Sequence, residues 1–310
     1  MIPVFDCHAD TPILLWDEKQ SLRRNRCHIS LERADRLGHY AQFFAYCTYA
    51  GADRNGYTCE QLYTLPKTYM DAQLQAHADA IRFCTTAEQV KAAWAQNLSA
   101  ALYSIEGAEG IGCDAGRLEE AYGDGVRMTT LTWNADNALA GCYKGDRGLT
   151  AEGREFVRRA QALGIIVDVS HCSDRTFFDI LDITQAPIVA SHSDSRTNFQ
   201  HSRNLSDEMY RLLCRTGGVA GINLYAGFLH PDGATFDDVY AHIDHFLQLC
   251  GDEHIALGGD LDGCDELPQG FSGVGNYAEL AEFLLTKYSE ETVEKIFYRN
   301  ILQVLEQCQA

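Results

Sequence analysis

The chain has 310 residues, 46% of them apolar and 22% charged, a globular composition long enough to bury its core without disulfide staples. Lys and Arg number 25 against 44 Asp and Glu, a net charge of −19, and a surface that acidic repels phosphate backbones and anionic lipid. Nucleic-acid and membrane-surface roles are therefore not expected, and no apolar run reaches the roughly 18 residues of a membrane span. The chain opens Met1-Ile2-Pro3-Val4-Phe5-Asp6, which reads as running straight into a strand without a signal core, so a cytoplasmic location is expected. Eight short β-branched or apolar runs follow in order, each ended by polar residues: 4–8, 41–49, 98–105, 125–131, 164–169, 187–190, 218–224 and 254–257. Helical stretches separate them. Thr86-Ala-Glu-Gln89 is a capping-box pattern opening a helix to residue 96, and 151–163 fits a helix ahead of Gly164. Ser173 can cap the stretch holding Phe177, Ile180 and Leu181. Val239, Ile243, Phe246, Leu247 and Cys250 fall on one helical face.

Eight strands alternating with helices indicate parallel βαβ units, and the number eight favours one closed (β/α)8 barrel over an open sheet, a single domain spanning 1–310. No glycine-rich phosphate loop follows any strand. The twelve cysteines include no C-x-x-C, and those inside apolar runs (Cys47, Cys84, Cys214, Cys250) read as small buried hydrophobes in a reducing compartment.

In such a barrel, polar residues at the strand C-termini face the catalytic mouth. The first run ends in Asp6-Cys7-His8-Ala9-Asp10, the third is followed by Glu106, and the fourth by Trp133-Asn134. The fifth leads to His171, the sixth to His192 and the eighth to Asp260. Imidazole and carboxylate are ligands zinc accepts, and the i, i+2 spacing of His8 and Asp10 puts both on one strand face. Each residue alone has an ordinary structural reading; their shared placement is what makes a metal site. His242 and His245, at i, i+3 on a helix, are read as structural or solvated, and so are His28, His39, His77, His201, His230 and His254. Cys7, Cys172 and Cys264 lie near these ligands in sequence and are read as packing residues, and Asp262 as a turn residue.

Six segments together resemble the membrane (renal) dipeptidase family of zinc peptidases, within the amidohydrolase superfamily. They are Phe5-Asp-Cys-His-Ala-Asp-Thr-Pro12, Ser104-Ile-Glu-Gly107, Val167-Asp-Val-Ser-His171, Ala190-Ser-His-Ser193, Ser202-Arg-Asn204 and Gly258-Gly-Asp-Leu-Asp-Gly263. The resemblance implies a zinc dipeptidase with two zinc ions about 3.5 Å apart. His8 and Asp10 would hold one ion, His171 and His192 the other, and Glu106 would bridge them and a catalytic hydroxide. It further implies Asp260 as general acid/base, Arg203 as the grip on the dipeptide's C-terminal carboxylate, and a homodimer. These roles suit the chemistry: two zinc ions lower the pKa of water toward about 7, a nearby carboxylate can shuttle its proton, and a guanidinium matches a carboxylate with two parallel hydrogen bonds.

One position departs from the family. Where the fourth strand normally ends Leu-Thr-His, this chain has Leu131-Thr132-Trp133-Asn134, so Trp133 stands in place of the histidine that helps stabilise the oxyanion. Losing one such donor typically costs about 10²–10³ in rate. Either Asn134 or another mouth residue donates instead, or the substrate differs, or activity has faded; hydrolysis of an altered substrate is the favoured reading. The alternatives to a dipeptidase are a metal-dependent amidohydrolase acting on another small amide or lactone, and a non-catalytic metal-binding homologue. The presence of Asp260 speaks against the last.

Overall fold

The computed structural model describes every residue except Arg54 and Ala310. Its strands are β1 (Val4–Ala9), β2 (Tyr40–Cys47), β3 (Ile81–Phe83), β4 (Ser99–Glu106), β5 (Val126–Thr130), β6 (Ile166–Asp168), β7 (Ile188–Ala190), β8 (Val219–Ile222) and β9 (Ile255–Leu257). All pair in parallel. The cycle β1-β2-β4-β5-β6-β7-β8-β9 closes on itself through β1–β9 and β2–β4, giving an eight-stranded (β/α)8 barrel. The eight apolar runs are its eight staves. The additional strand, β3, pairs only with the first residues of β4 (Ile81↔Ser99 to Phe83↔Ala101), beside the stretch where β5 takes over. Three residues with Arg in the middle are too short to show a β period, which is why the sequence did not reveal it.

Local chemistry sets the helix starts as expected. Thr86 Oγ1 accepts from Gln89 N, although the Gln89 side chain returns to Thr85 N rather than to the cap itself. Thr150 caps helix Ala151–Ala162, Ser173 caps Asp174–Leu181, and Ser206 caps Asp207–Arg215. At the start of the helix Phe236–Cys250, Asp238 Oδ2 accepts from both Thr235 N and Thr235 Oγ1.

Two apolar layers hold the barrel. One contains Phe5 and Cys7 of β1, Phe43 of β2, Leu102 of β4, Met128, Ile166, Val189, Val219 and Ala256, about one residue from each stave, together with Ile301 and Leu305. The alternate strand residues, such as Tyr103, Val167 and Ala220, pack with the surrounding helices. Helix Asn300–Cys308 closes the N-terminal end: Cys308 Sγ meets Pro187 O, and a Cβ at Gly164 would press on Cys308 O. The opposite, C-terminal end stays open. There β1 departs from regular pairing, with Asp6 opposite Gln42 but Ala9 opposite Phe44, so one extra residue is accommodated around Cys7 and His8. Among the described residues no helix is long and apolar enough to cross a membrane.

Candidate metal centre

The mouth of the barrel holds a cavity of about 590 Å³. Its lining includes Asp10, Cys47, Glu106, Trp133, Asn134, His171, Arg203 and Asp260. The bulge in β1 and the ends of β4, β6, β7 and β9 bring the six residues expected from the sequence to one point. His8 Nε2 lies 3.5 Å from Glu106 Oε1, 3.6 Å from Asp10 Oδ2 and 4.0 Å from Asp260 Oδ1. Glu106 Oε1 is also 2.9 Å from His171 Nε2 and 3.4 Å from His192 Nε2, which are 2.9 Å from each other. Glu106 thus stands between the pair His8/Asp10 and the pair His171/His192. Gly263 permits part of this crowding, because a Cβ there would collide with the carboxylates of Asp10 and Asp260.

Backbone strain is concentrated at the same place. His171 (φ 66°), Asp260 (φ 54°) and Asp262 (φ 69°) all sit in the left-handed region that non-glycine residues rarely adopt. Around the ligands lies a second set of hydrogen bonds. His171 Nδ1 is 2.9 Å from Asn134 Oδ1, and His192 Nδ1 is 2.6 Å from Ser191 Oγ, whose hydroxyl lies 2.5 Å from Asp168 Oδ2. An N–H held by an oxygen at Nδ1 leaves the lone pair of Nε2 facing the centre, the tautomer a metal ligand needs. Asp168 is itself fixed by the backbone N–H groups of Ser170 and Ser191.

Electrostatics point the same way. Burial lowers the pKa of His171 and His192 well below the usual histidine range, with Arg203 and His8 adding to it, so both are neutral. Burial and the charge of Asp10 push Glu106 up to about 8, and burial pushes Asp260 up to about 6 with His8 partly opposing. His8 shows the converse: burial disfavours its charge, but Glu106 and Asp10 outweigh that and push it up to about 10. Three buried carboxylates packed together favour a cation between them. Moreover, among the described residues His8 Nε2, Asp10 Oδ1 and Glu106 Oε2 are buried without a hydrogen-bond partner, a costly arrangement that coordination to a metal would resolve. The donor set fits zinc: neutral imidazole and carboxylate around a buried, partly open site.

The remaining expected residues surround the cavity. Arg203 is 5% exposed, lies about 5.5 Å from the rings of Tyr143 and Phe228, and makes one long hydrogen bond, to His192 O at 3.5 Å. Asp260 Oδ2 accepts from Asn223 Nδ2 at 3.0 Å. Trp133 meets Tyr49 edge-on at 5.2 Å and tilts over His171 at 6.2 Å. Asn134 borders the cavity with its amide oxygen held on His171 Nδ1. His242 and His245 do not converge: the first bridges Ser195 N and Leu229 O, the second pairs with Asp207. Asp262 is a turn residue, yet its carboxylate is buried and ties Thr11 and His28 N to the mouth. Tyr49, Tyr143, Asn223 and Phe228 carry no motif in the sequence and were not foreseen; only their place just beyond strand ends or in the mouth loops gave a signal. Cys47 is buried as expected, and it also lines the cavity.

Comparison with known proteins gives a consistent result. A family model described as membrane dipeptidase, peptidase family M19, matches residues 1–310. An uncharacterised dipeptidase of Schizosaccharomyces pombe is 36% identical over 236 residues, 72% of this chain and 57% of its own. The chain thus spans little more than half the length of that relative. Among solved structures, dipeptidase AC, an M19 metallopeptidase, superposes with a TM-score of 0.92 at 26% identity, covering 100% of this chain and 99% of its own. A metallopeptidase from Rhodobacter sphaeroides, bound to a phosphinate mimic of the dipeptide L-Ala-D-Ala, gives 0.90 at 26% identity over 99% of both chains.

Proposed function

The chain belongs to the membrane dipeptidase family, and on that premise we propose that it hydrolyses the peptide bond of small dipeptides at a centre of two zinc ions. His8 and Asp10 would hold one ion, His171 and His192 the other, with Glu106 shared between them. Zinc bound there supplies a Lewis acid and a water of lowered pKa. The protein's own side chains do the rest. Arg203 binds the substrate's C-terminal carboxylate through two N–H groups, Asp260 takes the proton of the attacking water at a carboxylate oxygen, and the same oxygen returns it to the leaving amine nitrogen. Asn223 orients that carboxylate from its other oxygen.

The observation that carries this reading is Arg203. Among the described residues, the buried guanidinium makes one long hydrogen bond and has no carboxylate in ion-pair contact, and it stands beside the proposed ligand cluster. An anion from outside would complete it, and Tyr143 and Phe228 dry its surroundings. Arg203 follows β7, and on the eight-strand cycle β7 lies opposite β2, after which Tyr49 comes. A dipeptide anchored at Arg203 therefore extends over the ligands toward Tyr49 and Trp133. The phosphinate-bound relative extends the candidate substrates to those with a D-residue second. Several deeply buried cysteines, including Cys7 and Cys84, remain thiols in keeping with a cytoplasmic protein.

The test is a panel of free and C-terminally amidated dipeptides, with L- and D-residues second, assayed on the zinc-loaded wild type and on R203A. KM for free dipeptides should rise at least about tenfold in R203A, with little change for the amides, because only the former offer a carboxylate. Equal effects on both sets would reduce Arg203 to a packing residue. No turnover of any dipeptide by the loaded wild type would reject the function.

A further inference from the structure

Cys47 ends β2 directly opposite Glu106 at the end of β4, the last pair of a seven-residue parallel register. Side chains paired in this way at adjacent strand ends share a face. The thiol is 2% exposed, lines the cavity, and has its sulfur within 4.8 Å of a carboxylate oxygen of both Asp10 and Glu106. His8 Nε2 reaches those same two carboxylates at 3.6 and 3.5 Å. At this spot three donor atoms, His8 Nε2, Asp10 Oδ1 and Glu106 Oε2, are buried without a hydrogen-bond partner among the described residues.

We propose that Cys47 is a further ligand of the metal position beside Asp10 and Glu106, the two carboxylates with which its sulfur forms one ligand group and which His8 reaches from the other side. The assignment rests on the metal reading above and adds a ligand to it. One imidazole, two carboxylates and one thiolate make four donors, the number a tetrahedral zinc position takes. On binding, a sulfur electron pair forms the sulfur–metal bond and the thiol proton leaves to bulk water; nothing is oxidised. The soft donor makes this position distinct from the other, which His171 and His192 hold. It favours zinc or cobalt there over magnesium or manganese, which prefer all-oxygen sets. Of the cysteines nearest the site, Cys7 packs in the barrel interior, Cys172 belongs to the outer apolar cluster, and Cys264 lines the cavity but joins no ligand group among the described residues.

Cobalt(II) tests the assignment without an activity assay. The full-length protein is stripped with a chelator, loaded with cobalt(II) alone, and compared with C47S and C47A by absorption spectroscopy. The wild type should show visible d–d bands together with a near-ultraviolet sulfur-to-cobalt charge-transfer band. In C47S the d–d bands should remain and the charge-transfer band vanish. Affinity for zinc in competition with a chromogenic chelator should fall at least about tenfold. C47A provides the same readout should the serine hydroxyl disturb the site, and far-ultraviolet circular dichroism verifies that each variant is folded. Visible bands without a charge-transfer band in the wild type, or a band that persists in C47S, would overturn the ligand while leaving the metal centre intact. No cobalt bands at all would overturn both.

Discussion

Asp260 occupies a left-handed backbone position (φ 54°) between Asn223 on one oxygen and His8 beyond the other. Asparagine tolerates that backbone and preserves the bond from Asn223, so D260N is a clean removal of the proposed proton carrier. The variant should bind zinc as the wild type does and lose about 10²–10⁴ in kcat on the best dipeptide, measured beside metal content. Wild-type kcat would show that the base lies elsewhere. Trp133 poses the opposite question, since the family resemblance implies a donor where this chain has an indole. Its ring is braced by Tyr49 and tilts over His171 in the lining of the cavity. If the indole is a wall of the substrate pocket, W133H should gain less than about tenfold in kcat/KM on plain dipeptides and lose activity on the preferred one. A gain approaching 10²-fold with no such loss would mean that only an oxyanion donor was missing. Both residues stood out in the sequence because each ends a strand. Cys47 also ends a strand, but an apolar neighbourhood in sequence gave no sign of which wall it faced.

The helix Phe236–Cys250 shows how far a one-dimensional pattern reaches. Its apolar face was legible from Val239, Ile243 and Phe246, all buried. Whether His242 served a metal or the core was decided by the loop that packs against it. The ring accepts from Ser195 N at Nδ1 and faces Leu229 O at Nε2, so the neutral form is the one the fold holds. Burial lowers its pKa to about 4. Between about pH 6.5 and 4 the unfolded chain binds a proton here that the folded chain refuses, so this contribution is complete above pH 6.5 and declines as pH falls through that window. The loss reaches about 3 kcal/mol. Urea unfolding of wild type and H242Q at pH 7.5 and 5 should show a smaller pH dependence in the variant, whose amide can donate and accept without titrating. Equal pH dependence would show that His242 is not the group responsible. Strand β1 illustrates the limit from the other side. Strict alternation reads His8 and Asp10 as one face, but the extra residue between Asp6 and Ala9 breaks that alternation, and such a bulge has no signature in Phe5-Asp-Cys-His.

Across the whole molecule the proposed metal centre would tie together distant parts of the chain. Its residues come from positions 8 to 260 and from staves all around the barrel, so a cation bound there links them in the folded state only. Zinc at about a thousand times its Kd should add about 4 kcal/mol of stability. Chelation should lower Tm by several degrees, and added zinc should restore it. A Tm indifferent to chelator and to added zinc would mean that the centre does not hold the ion. The sequence by itself determined the eight staves, the helix caps, the acidic surface and the family's six motifs, because strand periodicity, capping and ligand spacing are local and survive in one dimension. Only the tertiary structure decided which neighbours complete the site: Asn134 on His171, the Asp168–Ser191–His192 chain, Cys47 beside Glu106 and Arg203 between two rings. These contacts join residues far apart in sequence, and closure of the barrel through β1–β9 and β2–β4 is what brings them within bonding distance.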